Sequence, residues 1–139
     1  MSTPISWQLA VDAVDAHALV DFWAEALHYA KEDNTAEIDQ ILAQGYAQES
    51  DTVLRDGVRS WAGFEAIGTP GYRILFHTVS EPKASKNRWH IDLNVGSDQM
   101  GAEVDRLVAL GATQVAEVND PTGHFFVLTD PEGNEFCVQ

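Results

Sequence analysis

Trp7-Gln8-Leu9-Ala10-Val11-Asp12 and Trp89-His90-Ile91-Asp92-Leu93-Asn94 align without a gap at a constant offset of 82 residues. In both stretches the odd positions are apolar, while Gln8, Ala10 and Asp12, or His90, Asp92 and Asn94, share the other face. Alternation with period two predicts a β-strand with one apolar side. One strand is therefore expected twice, opening two copies of a single unit.

A helix signal follows each strand. Asp15 and Ser97 are candidate N-caps, each seven residues beyond Gln8 or His90. Leu19, Trp23, Ala26 and Leu27 recur at i, i+4, i+7 and i+8, as do Met100, Val104, Leu107 and Val108, giving each helix one apolar stripe. Gly111 is suited to stop the second helix. Strand-like runs come next: residues 60–67 and 72–79 in the first half, and 113–118, 124–129 and 134–138 in the second. Gly68-Thr69-Pro70-Gly71 and Asp130-Pro131-Glu132-Gly133-Asn134 carry turn chemistry between them. Each half thus reads as βα followed by a short meander. The first half has an extra polar stretch at about 29–57, where Ile38, Ile41 and Leu42 predict a short helix. Such an insertion serves either as a lid or as a plain connection. With each sheet's apolar face against its helix, Gln8 and His90 are expected to approach each other across a local two-fold axis and face one cleft.

At 139 residues the chain has the size of one domain with its own core. Apolar residues at 45 % and charged residues at 22 % place it among globular proteins. No apolar run approaches the ~20 residues of a membrane span, and the first residues lack a basic, apolar signal pattern, so a cytoplasmic location is expected. The lone Cys137 excludes an internal disulfide. A net charge of −14 opposes phosphate backbones, so nucleic acid is not an expected partner.

The pieces Asp15-Ala16-His17-Ala18-Leu19-Val20-Asp21-Phe22-Trp23, Lys86-Asn87-Arg88-Trp89-His90-Ile91-Asp92-Leu93 and Asp130-Pro131-Glu132-Gly133-Asn134-Glu135-Phe136-Cys137, in this order and spacing, resemble the glyoxalase/bleomycin-resistance/dioxygenase (vicinal oxygen chelate) superfamily, and within it the glyoxalase-like domains. The resemblance spans the chain. It implies an α+β fold in which two βαβββ modules, residues 1–82 with the insertion and residues 83–139, form an open barrel-like sheet around a central cleft. Residues 1–139 would then be one domain.

The resemblance also implies a ligand set for a divalent metal: Gln8, His77, His90 and Cys137. The final position usually holds glutamate and here holds cysteine; Glu135 lies two residues earlier, on the same strand face but roughly 7 Å away. A thiolate with imidazoles favours zinc. An equally open reading has no cofactor, with Cys137 as a small core filler and Gln8 and His90 bonded to each other. His77 and His90 are the candidate proton carriers. Tyr46, Trp61 and Phe64 are candidate walls of the ligand pocket, or ordinary core residues, and Arg88, Lys86 and Glu135 are candidate polar contacts.

Two functions follow. One is a metal-dependent lyase or isomerase acting on a small oxygenated metabolite. The other is a non-catalytic protein that sequesters a small molecule, as the bleomycin-resistance branch does, which the strong acidity favours for a cationic ligand. A homodimer is expected from superfamily habit.

Overall fold

In the computed structural model, which describes residues 2–139, the first alternating segment forms β1 (Leu9–Ala13). Asp15 then caps α1 (Ala16–Leu27), its carboxylate accepting from the Ala18 amide at 3.0 Å. The predicted stripe of α1 holds: Leu19, Trp23 and Ala26 are buried with Val20. The chain continues through β2 (Ala30–Lys31), α2 (Thr35–Ala43), a single 3-10 turn (Glu49–Asp51), the hairpin β3 (Thr52–Arg55) and β4 (Val58–Trp61), then β5 (Phe64–Thr69) and β6 (Tyr72–Thr78). Four of these strands form a sheet in the order β1-β6-β5-β2, with β6 parallel to β1. Together they make one compact unit, ending at Glu81.

The second unit, Pro82–Gln139, contains β7 (Asp92–Leu93), α3 (Met100–Leu110), β8 (Thr113–Asp120), β9 (Gly123–Thr129) and β10 (Glu135–Val138). Its sheet runs β7-β10-β9-β8, with β10 parallel to β7. Once α2, the 3-10 turn and the β3–β4 hairpin are set aside, both units have the same βαβββ order and strand arrangement, as the repeat predicts. The fold is α+β. No helix among the described residues is long and apolar enough to cross a membrane.

Several expectations are corrected. Trp7 and Trp89, expected on the apolar face, are 85 % and 87 % exposed. The physical reason is where pairing begins: β1 opens at Leu9 and β7 at Asp92, so both tryptophans precede the paired ladder. Ser97 does not cap α3. A hydrogen bond from the Gln99 amide to the Gly96 carbonyl (3.0 Å) closes a turn around Ser97, and Gln99 takes the cap position. Val108 of the second stripe is exposed. The run 60–67 is two strands, because β4 pairs with β3 while β5 pairs with β6. The extra elements accordingly lie between β2 and β5, and the short helix predicted there is α2.

A buried carboxylate ties this added hairpin to the first unit. Glu65 on β5 is only 3 % exposed. Its Oε1 lies 2.7 Å from His17 Nδ1 on α1 and accepts from Arg55 Nη2 at 3.2 Å. Arg55, on β3, also donates to both oxygens of Asp21 at 2.9 and 3.1 Å, and Lys31 bonds to the same carboxylate. Burial alone would raise the Asp21 pKa, but Arg55 and Lys31 outweigh it and hold that carboxyl below its usual range. A carboxylate with little access to solvent depends on its partners. Replacing Arg55 by Ala is expected to cost about 2–4 kcal/mol in urea unfolding, whereas Arg59→Ala, whose partners Asp39 and Glu49 are solvent-exposed, should cost about 1 kcal/mol or less. Because the folded-state pKa of Asp21 is lowered, the Asp21 contribution is present above its unfolded pKa and disappears as pH falls through the folded one. The Arg55→Ala deficit should therefore shrink in acid; a deficit independent of pH would remove Asp21 from this account.

Candidate functional site

The parallel pairing of β7 with β10 decides the arrangement. Asp92 stands level with Cys137, and Leu93 with Val138. Phe136 and Val138 are buried, on the side of β10 that α3 covers. Alternation then sends Glu135 and Cys137 to the opposite face, with Asp92 beside Cys137 and His90 two residues upstream of Asp92.

On that face lies a concavity of about 320 Å³, whose lining includes Lys86, His90, Asp92, Phe125, Val127 and Cys137. A nitrogen of His90, a carboxylate oxygen of Asp92 and Sγ of Cys137 all lie within 4.8 Å of one another. His90 Nδ1 is 3.2 Å from Asp92 Oδ1. Burial raises the pKa of the Cys137 thiol, the negative charge of Asp92 and its hydrogen bond raise it further, and Lys86 acts in the opposite direction. Around a tetrahedral ion with bonds of about 2.0–2.3 Å, donor atoms sit about 3.3–3.8 Å apart. The three donors lie within 4.8 Å of one another, and nitrogen, oxygen and sulfur together are the donor chemistry of a borderline divalent metal.

Glu135 lines the same concavity but is already engaged. It accepts from the Asn87 amide at 3.0 Å and pairs with Lys83 at 3.2 Å, which pins the segment leading to β7. The Asn87 amide, against partial desolvation and with help from Lys83, holds the Glu135 pKa below its usual range. Arg88 is exposed and does not line the concavity.

In the first unit the candidates separate. Gln8 Oε1 accepts from Arg73 Nη1 at 2.9 Å, and Arg73 in turn grips Glu32 through Nη2 at 2.9 Å. Gln8 and Arg73 line a shallow concavity of about 430 Å³ with Trp7 and Tyr72. His77 stands level with Asp12 on β1, not with Gln8, and its ring lies 6.2 Å from that of Phe64. The four steps from Arg73 to His77 span about 13 Å of strand. Gln8 and His77 therefore occupy opposite ends of this sheet face. Tyr46 is exposed after α2, and Trp61 ends β4; neither they nor Phe64 line either concavity.

Of the four residues expected to hold a metal, His90 and Cys137 are brought together within the second unit, and Asp92 joins them. Sequence reasoning did not single out Asp92 as a site residue. The signal was present in the period-two alternation, which already put Asp92 on the His90 face. The register that sets it beside Cys137 was not.

Residues 8–139 match the family described as a glyoxalase-like domain. No curated protein sequence matches the chain. Among solved structures, the chain is similar to a glyoxalase/bleomycin resistance protein/dioxygenase family enzyme from Burkholderia phytofirmans (15 % identity, 94 % of each chain covered, TM-score 0.62). It is also similar to a variant of the fosfomycin resistance protein FosX from Listeria monocytogenes, solved with Mn(II) and 1S,2S-dihydroxypropylphosphonic acid (13 % identity, 100 % and 92 % covered, TM-score 0.65). A third is a bleomycin-binding protein from Streptomyces verticillus complexed with copper(II)-bleomycin (15 % identity, 100 % and 98 % covered, TM-score 0.57). At these identities the likeness establishes the fold alone, which is α+β.

The thiolate, not the thiol, reacts with alkylating agents. With its pKa raised, Cys137 should be alkylated by iodoacetamide at pH 7 more slowly than an ordinary exposed cysteine, and Asp92→Asn should accelerate the reaction. Equal rates in the two proteins would show that Asp92 does not control the thiol.

Proposed function

The chain belongs to the glyoxalase-like domain family, and from that membership we propose a metal-dependent lyase or isomerase acting on a small oxygenated metabolite. The observation that carries this reading is the convergence of nitrogen, oxygen and sulfur donors from His90, Asp92 and Cys137 within 4.8 Å on one sheet face. A FosX structure containing Mn(II) with a vicinal diol supports the substrate class by analogy. We take residues 1–139 as one domain of two modules, working as a cytoplasmic homodimer.

In this reading His90 and Cys137 belong to the metal seat, and sulfur beside imidazole favours zinc. When bound, such an ion polarises a carbonyl or stabilises an enolate. The chain's own residues bind and orient the substrate. Lys86 attracts a negatively charged or strongly polar group, while Phe125 and Val127 offer apolar contact and exclude water from that side. Asp92 Oδ1 lies 3.2 Å from His90 Nδ1 and places a negative charge beside the imidazole.

A second reading draws on the net charge of −14. An acidic protein concentrates cations near its surface, and the bleomycin-binding relative was solved with copper(II)-bleomycin. On this reading the protein sequesters a cationic, aromatic ligand without turnover.

Elemental analysis of protein purified without chelator separates the two. The metal-dependent reading expects close to one equivalent of zinc or a similar ion per chain, and less than about a tenth of an equivalent would sink it. Sequestration expects cationic aromatic compounds to raise the melting temperature and remain unconsumed; at 100 times Kd the stabilisation is about 2.7 kcal/mol.

A further inference from the structure

Resting on the reading that a divalent ion is bound, we propose that Asp92 is itself a ligand of that ion. His90, Asp92 and Cys137, all from the second unit, then complete the protein's share of the metal seat without Gln8 or His77, and the seat selects zinc or cobalt over manganese.

Register is the first support. Asp92 and Cys137 are paired Cα partners on adjacent parallel strands, so their side chains leave the sheet side by side. His90 precedes Asp92 by two residues and shares its face, which gives a donor from each of three neighbouring positions. The second support is donor chemistry. Sulfur, a carboxylate oxygen and an imidazole nitrogen are three ligand types that a borderline divalent cation takes together.

Openness is the third support. Three protein donors would leave room for one more ligand on a bound zinc, as in catalytic zinc sites, and His90 and Asp92 are exposed on the concavity from which a small oxygen ligand would come. Meanwhile Gln8 is held by Arg73, and His77 sits four residues farther along the first sheet, beside Phe64. Sulfur is a soft donor that manganese disfavours and that zinc and cobalt accept. Cys137 therefore turns the seat away from the metal found with the FosX relative.

Cobalt(II) titration of the full chain tests this through absorption, with manganese(II) followed by electron paramagnetic resonance. The wild-type protein should bind one cobalt, showing tetrahedral d–d bands and a thiolate-to-cobalt charge-transfer band, and should bind manganese at least about a hundredfold more weakly. Asp92→Asn should weaken cobalt binding by about tenfold or more while keeping the charge-transfer band. Asp92→Cys should restore binding and roughly double the charge-transfer intensity, because it adds a second thiolate. A residue that merely orients His90 would not produce that gain. Gln8→Ala and His77→Ala should leave cobalt affinity within about threefold of wild type. The proposal is overturned if Asp92→Cys leaves the charge-transfer band unchanged, if Asp92→Asn binds as wild type, or if Gln8→Ala or His77→Ala abolishes binding. In each of those cases cobalt still binds the wild-type chain, so the broader metal-dependent reading survives. Absence of cobalt and manganese binding in the wild-type chain would remove both. Circular dichroism of each variant confirms that lost binding is not lost fold.

Discussion

In each unit the closing strand lies parallel to the opening one, β6 on β1 and β10 on β7, and everything of functional interest depends on that pairing. Parallel neighbours need a long connection between them, and α1 or α3 with the intervening strands supplies it. The pairing returns the last strand of a unit to the side of its first. It places residues about 45 positions apart in sequence in direct contact: Asp92 with Cys137, and Asn94 with Gln139, whose side chains bond at 2.8 Å.

Each sheet then has one face packed beneath its helix. Helix α1 with Phe76 and Ile67, and α3 with Leu128, Phe136 and Val138, fill that side. Ionisable side chains also stand on the opposite face. In the second unit they converge on His90, Asp92 and Cys137. In the first the same face is spent differently, with Gln8 drawn into the Arg73–Glu32 pair and His77 set against Phe64. Duplication of the fold has thus not preserved the chemistry of its two faces. Local partners decide what each side chain is available to do.

The added elements of the first unit raise a separate energetic question, since a hairpin that contributes little apolar burial needs another anchor. Arg55 provides it by reaching Asp21 and the buried Glu65, while Arg59 ties β4 to α2 and to the 3-10 turn. The burden falls unequally. Glu65 is shielded from water and relies on its partners, whereas the carboxylates around Arg59 remain solvated.

Period-two alternation, the Asp15 cap, the stripes of α1 and α3 and the Asp130–Asn134 turn are local or near-local properties, which is why the duplicated βαβββ plan was readable from residues alone. Membership in the glyoxalase-like family followed from the order of those same segments. Local rules do not say how far a strand remains paired, so the tryptophans ahead of β1 and β7 looked like core residues and are not. They also do not say which residue stands opposite which. Gln8 and His77 seemed equivalent to His90 and Cys137, yet register separates the first two along the sheet and adds Asp92 to the second two. Alternation is set by each residue's own backbone and can be read one strand at a time, but register is set by hydrogen bonding between distant segments. Only the folded chain could decide it.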